Sequence, residues 1–145
     1  MKPEISIVIP AYNEEESLHP LFGSLYPVMT DMGRPFEIIF INDGSKDSTL
    51  GILYDLYVSH PEVRVIDLNG NFGQHMAIMA GFEHVRGDIV ITLDADLQNP
   101  PEEIPNIVAK MDEGHDIVGT YRKGRQDPLF RKVSSKMVNR ITNRI

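Results

Sequence analysis

The sequence predicts an α/β fold, a mainly parallel sheet with helices on both faces. Two observations lead there. Short β-branched apolar runs alternate along the chain with segments whose apolar residues recur at helical spacing, the pattern of right-handed βαβ units. The unusual polar residues gather just after the apolar runs, and in such sheets the carboxyl ends of the strands are where ligands bind.

Each element can be justified in turn. Ile5 to Pro10 is a first buried strand, and Leu18, Leu21, Phe22 and Leu25 then fall at i, i+3, i+4 and i+7 of a helix. Pro27 should end or kink that helix, because it lacks an N–H and crowds the preceding turn. Phe36 to Ile41 is a second strand. Leu50, Leu53, Tyr54 and Tyr57 give a second helical stripe, which stops before Pro61. A third strand runs from Val63 to Leu68, and a third helix from about Gly73 to Arg86 and Gly87. Asp88 to Leu93 is the fourth strand. Pro100 and Pro101 open a fourth helix, Glu102 and Glu103 suit its positive end, and Gly114 closes it. Its buried stripe is Ile104, Ile107, Val108 and Met111, and Asp116 to Tyr121 is a short fifth strand.

Composition sets the limits. A chain of 145 residues with 41% hydrophobic and 24% charged residues is one ordinary globular domain. It has no cysteine, hence neither a disulfide framework nor thiolate chemistry. The opening MKPEISIVIPAYNEEE reaches acidic residues too soon to read as a signal peptide, and no apolar run is long enough to span a bilayer. The net charge of −7 hides an asymmetry. From Arg122 to Ile145 there are eight Lys and Arg against one Asp, whereas the preceding residues hold six basic and twenty acidic side chains. A basic tail on an acidic body points to an anionic partner, such as phosphate, nucleic acid or a membrane surface, unless it is only a solvated helix.

The strand ends carry Pro10-Ala-Tyr-Asn-Glu14, Asn42-Asp-Gly-Ser45, Asn69-Gly-Asn-Phe-Gly73 and Asp94-Ala-Asp96-Leu-Gln98. Most of these have a plain structural explanation available. Asn42 to Ser45 could be a turn and helix cap, Glu14 to Glu16 could decorate a helix start, and the glycine-rich turn is weak as a phosphate cradle. His75 and His84 lack a second ligand at metal spacing. Asp94 and Asp96 are harder to dismiss. On an extended chain they share a face, and no basic residue lies near them in sequence. A hard divalent ion, Mg²⁺ or Mn²⁺, would relieve their repulsion while bridging to a diphosphate. Gln98 would add an amide oxygen if the chain stays extended that far.

SIVIPAYNEEESL, Phe40-Ile-Asn-Asp-Gly-Ser45, NFGQHMAIMAGF and GDIVITLDADLQNPPEEIP, in that order, resemble the family 2 glycosyltransferases with the GT-A fold. More narrowly they are similar to polyprenyl-phosphate glycosyltransferases, relatives of dolichyl-phosphate mannose synthase. The tail GTYRKGRQDPLFRKVSSKMVNRI is most similar to the bacterial undecaprenyl-phosphate 4-deoxy-4-formamido-L-arabinose transferases. The Asp-x-Asp pair is weakly specific alone; four blocks in order are strongly specific.

The resemblance implies a role for each matching position. Pro10, Tyr12 and Glu14 hold the nucleotide base and ribose, and Asp43 hydrogen-bonds the base. Asp94 and Asp96 are the catalytic pair that binds diphosphate and metal, with Gln98 as a further ligand. Arg122, Arg131 and Ser135 bind the acceptor phosphate, with Arg125 a further candidate beside them. The implied partners are a nucleotide diphosphate sugar, expected to be uridine-linked, a polyprenyl phosphate and a membrane surface, with no nucleic acid; homo-oligomerisation is left open. The implied location is the cytoplasmic face of the bacterial inner membrane. Residues 1–121 would form the nucleotide-sugar core and 122–145 a basic amphipathic acceptor segment. Family members continue further, many bacterial ones with two C-terminal transmembrane helices, so the chain is expected to be a fragment whose activity alone is in doubt.

An ionised lipid phosphate needs no general base, and none is assigned. A soluble family 2 transferase acting on a sugar hydroxyl would instead require an acidic base further along the chain. A redox Rossmann domain is excluded at its first turn, where Pro10-Ala-Tyr-Asn-Glu14 replaces the glycine fingerprint. A non-catalytic membrane-surface module would use the tail alone.

Overall fold

The computed structural model describes residues 2–119. Four strands, β1 (Ile5–Ala11), β2 (Phe36–Asn42), β3 (Val63–Asp67) and β4 (Ile89–Thr92), form one parallel sheet in the order β3-β2-β1-β4. The helices α1 (Leu18–Asp31), α2 (Thr49–Ser59) and α3 (Gln74–Phe82) connect them in turn. A 3-10 turn over Pro101–Glu103 leads into α4 (Ile104–Asp112). The predicted fold class is the one observed.

Burial explains why the strands read as near-continuous apolar runs. Ile5, Ile7, Ile9, Ile38 and Phe40 face a core shared with Leu18, Leu21 and Leu25 of α1, Leu53 of α2 and Ile104 and Val108 of α4. Val8, Ile39 and Ile41 face the other way, against Ala77 of α3. Both faces of the sheet are therefore dry. Helix α3 lies so close that a Cβ on Gly81 would sit 2.5 Å from Val8 Cγ1.

Several local expectations are corrected. Of the two effects expected of Pro27, ending the helix does not occur: α1 runs on to Asp31. Pro27 and Gly23, four residues before it, are both exposed, so water can solvate the carbonyl that loses its partner, while buried Leu25 and Met29 hold the helix down. The stripe of α2 is rotated: Thr49, Leu53 and Leu56 are buried, whereas Leu50, Tyr54 and Tyr57 are exposed. Both sets satisfy helical spacing, and packing selects the one that fits the sheet. Helix α3 stops at Phe82 because the chain must turn into β4, and there the Arg86 and Gly87 amides donate to Glu37 Oε1 and Ser6 Oγ. The predicted fifth strand is absent from residues 116–119, which line a groove beside Val90 to Thr92 of β4 without pairing to it and leave Ile117 89% exposed; its last two residues lie outside the described ones.

Gly114 does close α4, with φ 94° and its N–H donating to the Met111 carbonyl. No helix among the described residues is long and apolar enough to cross a membrane.

Candidate active site

Register brings the strand ends together. Ala11 pairs with Asn42, and Asn42 with Asp67, so β1, β2 and β3 finish level. Thr92 of β4 pairs with Val8, which places Asp94 two residues beyond its strand as Pro10 lies two beyond Val8. The chain winds outward from β1 through β2 to β3, then returns to the other side of β1 for β4. That reversal is the topological switch at which open α/β sheets form their crevice. A cleft of about 430 Å³ opens there, bounded by Pro10, Ala11, Tyr12, Glu14, Asp43, Asn71, Gly73, Gln74, Asp94 and Asp96.

The loops that carry these groups are stitched to one another. After β1, Asn13 has a positive φ of 55° and accepts from the Lys46 amide at 2.8 Å, while its own N–H donates to Ser45 Oγ at 3.0 Å. The Glu14 amide donates to Thr49 Oγ1 at 2.8 Å, and the Ser48 amide donates to Glu15 Oε2 at 2.9 Å. Glu14 and Glu15 thus precede α1 and fasten the β1 loop to the start of α2. The N-cap position of α2 is Ser48, not a residue of Asn42 to Ser45, and it is Asp47 just before it that accepts from the Thr49 amide. Burial would raise the Asp47 carboxyl, but the Thr49 hydroxyl and the Thr49 and Glu15 amides outweigh it and hold the group below its ordinary range.

Asp43 is buried, and both its oxygens are engaged. Oδ1 accepts from the Phe72 amide at 2.7 Å and Oδ2 from the Gly73 amide at 2.9 Å. The following Gly44 has φ 68°, and a Cβ on it would lie 2.5 Å from the Gly70 carbonyl carbon. Only glycine permits that approach. The glycine-rich loop of residues 70–73 is therefore held against the end of β2 by main-chain contacts, a link that separate motifs do not reveal.

At the end of β4 the burial pattern alternates through Leu93, Asp94, Ala95 and Asp96, with Leu93 and Ala95 inward. Asp94 and Asp96 share the cleft side, as an extended chain requires. The extension ends there. Leu97 has φ 60°, and the Gln98 amide donates to Asp96 Oδ1 at 3.0 Å, so the extended step that would bring Gln98 alongside the carboxylates does not exist. Asp94 accepts from Gln74 Nε2 at 2.7 Å and, more distantly, from Asn99 Nδ2 at 3.4 Å. These are neutral donors, and among the described residues no Lys, Arg or His forms an ion pair with either carboxylate. No group of three or more potential metal-binding side chains occurs among the described residues either. Two carboxylates open on the cleft, with no cationic partner among the described residues, fit a hard divalent ion that completes its shell with phosphate oxygens and water.

Pro10, Tyr12, Glu14, Asp43, Asp94 and Asp96 are all brought to the one cleft. Asn71 and Gly73, from the block Asn69 to Gly73 that had no individual role assigned, belong to it as well, and so does Gln74, which sequence reasoning missed although it directly follows that block. Arg122, Arg125, Arg131 and Ser135, with the tail helix and the boundary at 121 and 122, lie outside the described residues. His84 is exposed with Nδ1 on the Ala80 carbonyl, in keeping with its plain reading.

The family model described as glycosyl transferase family 2 matches residues 6–145. The chain belongs to this family. Among solved structures, it is similar to the S. aureus TarS 1–349 complex with UDP-GlcNAc, at 25% identity and a TM-score of 0.63, over 88% of this chain and 37% of that one. It is also similar to glucosyl-3-phosphoglycerate synthase from Mycobacterium tuberculosis in complex with Mn²⁺, UDP-glucose and phosphoglyceric acid. That match has 27% identity and a TM-score of 0.64, and covers 85% of this chain and 45% of the synthase. A mannosyltransferase from Pyrobaculum calidifontis with GDP-Man and Mn²⁺ shares the fold, at 23% identity and a TM-score of 0.58, over 74% of this chain and 32% of that one. The chain thus has the GT-A fold of family 2 glycosyltransferases and spans less than half the length of these relatives.

Proposed function

We propose that this chain is the donor-binding part of an inverting family 2 glycosyltransferase that moves a sugar from a uridine diphosphate sugar to a polyprenyl phosphate. The observation that carries the donor half is the single cleft that joins Asp94 and Asp96 to Pro10, Tyr12, Glu14 and Asp43. Base and ribose would lie between the β1 and β2 ends, and the diphosphate would reach the carboxylates past β4. Asp94 and Asp96 would hold Mg²⁺ or Mn²⁺, and the synthase related to this chain was solved with Mn²⁺ and UDP-glucose together. When bound, such an ion stabilises the negative charge that develops on a departing diphosphate. Gln98 enters this set by resemblance alone.

The acceptor half rests on the tail. Arg131 and Ser135 are four residues apart, one helical turn if the segment is helical, and with Arg122 they supply the cationic positioning that an ionised phosphate needs. Such an acceptor attacks without a general base. The place of action would be the cytoplasmic face of the bacterial inner membrane. One observation favours a second reading: the related synthase holds phosphoglyceric acid, which is not a lipid. A transferase acting on a soluble acceptor would leave the basic tail without a use.

Calorimetric titration of uridine and guanosine diphosphates, with and without Mn²⁺, tests the donor half. Tight binding of uridine diphosphate only with metal is the expected result. Equal affinity in the two conditions overturns the metal site, and preference for guanosine diphosphate replaces the uridine reading with a mannose-synthase-like one.

A further inference from the structure

We infer that Gln74 is a positioning residue for the metal-binding carboxylate Asp94, and that the loop tied down by Asp43 sets where Gln74 stands. The inference rests on the proposed function and adds to it a residue assigned no role there. Gln74 is the first residue of α3, and its Nε2 donates to Asp94 Oδ1 at 2.7 Å, a short contact for a neutral amide. The hydrogen bond spans 20 residues in sequence and joins the ends of two separate βα units.

The carboxamide has a reason to be there and a means of staying. Asp94 lies two residues beyond β4 in an irregular segment, so no strand ladder holds it in place. Occupying one oxygen with an outer donor restricts the rotation of the carboxylate and leaves the other oxygen, which Asn99 Nδ2 reaches only at 3.4 Å, as the better ligand. Outer-shell hydrogen bonds of this kind orient metal ligands and are worth roughly 10–100-fold in metal affinity. A lysine at this position would neutralise the carboxylate and compete with the cation, whereas a neutral amide orients it without doing so.

The position of Gln74 is fixed from the other side. Its neighbours Phe72 and Gly73 donate their amides to the two oxygens of buried Asp43. Two hydrogen bonds from Asp43 to the loop, the chain from Gly73 to Gln74, and the hydrogen bond from Gln74 to Asp94 therefore make a continuous path along the cleft wall, from the end assigned to the base to the end assigned to the diphosphate.

The test is a pair of titrations on the full chain. Gln74→Met keeps the length and helix propensity of the side chain and removes the donor. We expect Mn²⁺ affinity, measured by calorimetry in the presence of whichever nucleoside diphosphate the wild type holds, to fall about 10-fold or more. Affinity for the corresponding nucleoside, which has no phosphate, should stay within about two-fold. Gln74→Ala should repeat the result, and Gln74→Asn, one methylene short, should not restore affinity. Unchanged Mn²⁺ affinity in Gln74→Met overturns the inference. So does an equal loss for metal and nucleoside, since that is what a collapsed loop gives. A wild type whose nucleotide binding ignores Mn²⁺ overturns the functional reading as well, and that result appears before any variant is made.

Discussion

Single side chains at the strand ends do two kinds of work. Asp96 is exposed and, among the described residues, accepts only the turn amide of Gln98, so it contributes little to packing. Asp96→Ala should leave the melting temperature nearly unchanged. It should also lower metal-dependent nucleotide affinity by more than the roughly 10–100-fold that loss of an outer partner costs, and excess chelator on the wild type should match it in calorimetry. Asp43 differs. The sequence suggests that Asp43→Ala weakens the nucleotide and spares a free diphosphate, because the residue is assigned to the base. In the structure, the same carboxylate holds two loop amides next to Gln74. Asp43→Ala should therefore weaken free Mn²⁺-diphosphate too, by several-fold, and should destabilise the chain by about 1–3 kcal/mol through the unpaired amides. Diphosphate affinity identical to wild type would show that the loop keeps its place without Asp43.

Elements are joined at the opposite end of the sheet by a group that the motifs do not announce. Glu37 of β2 is 1% exposed and accepts from Ser6 Oγ at 2.7 Å, from Arg64 and Arg86 at 2.9 Å, and from the Arg86 amide at 2.7 Å. Burial alone would raise its pKa. The Ser6, Arg64 and Arg86 donors win and hold it below the ordinary glutamate value of 4.5. A carboxyl with a lowered folded-state pKa stabilises the fold above its unfolded value, and that stability is lost as the pH falls through the folded one. Wild-type unfolding free energy should therefore drop as the pH falls below about 4.5, and Glu37→Gln should flatten that slope in urea titrations at a series of pH values. Near neutral pH, Glu37→Ala should cost about 3 kcal/mol, the lower end for a broken buried pair, because Arg86 is half exposed and hydrates by itself. At the seat of α3, Gly81→Ala adds a methyl 2.5 Å from Val8 Cγ1 and 2.9 Å from Ile41 Cδ1. Overpacking of about 1–3 kcal/mol exceeds the roughly 1 kcal/mol that alanine returns in helix propensity. A lowered denaturation midpoint with an unchanged m-value is the expected signature.

For the whole molecule, the decisive experiment concerns the basic tail. If its cations meet the acceptor at a membrane surface, binding to anionic vesicles should weaken with added salt. Arg131→Ala should raise the lipid phosphate needed for half-maximal rate by about ten-fold, the scale of one lost charge-assisted hydrogen bond, and leave donor affinity within two-fold. Normal acceptor kinetics in that variant would return the tail to the plain reading of a solvated basic segment. The sequence by itself determined the fold class, because the alternation of apolar periods 2 and 3.6 is a local property and right-handed crossovers leave few ways to assemble it. It also determined the four polar blocks, since strand ends are legible wherever an apolar run stops. Tertiary structure decided the rest. Two stripes of α2 satisfied the same spacing, and contact with the sheet chose Leu53 and Leu56 over Tyr54 and Tyr57. A hydrogen bond between Gln74 and Asp94, or Gly44 lying against Gly70, depends on the register of strands distant in sequence. Glu37 looks in sequence like a polar interruption of an apolar strand. Only the arrival of Ser6, Arg64 and Arg86 from three other segments makes it a stable buried charge, because an ion leaves water only where its partners are already assembled.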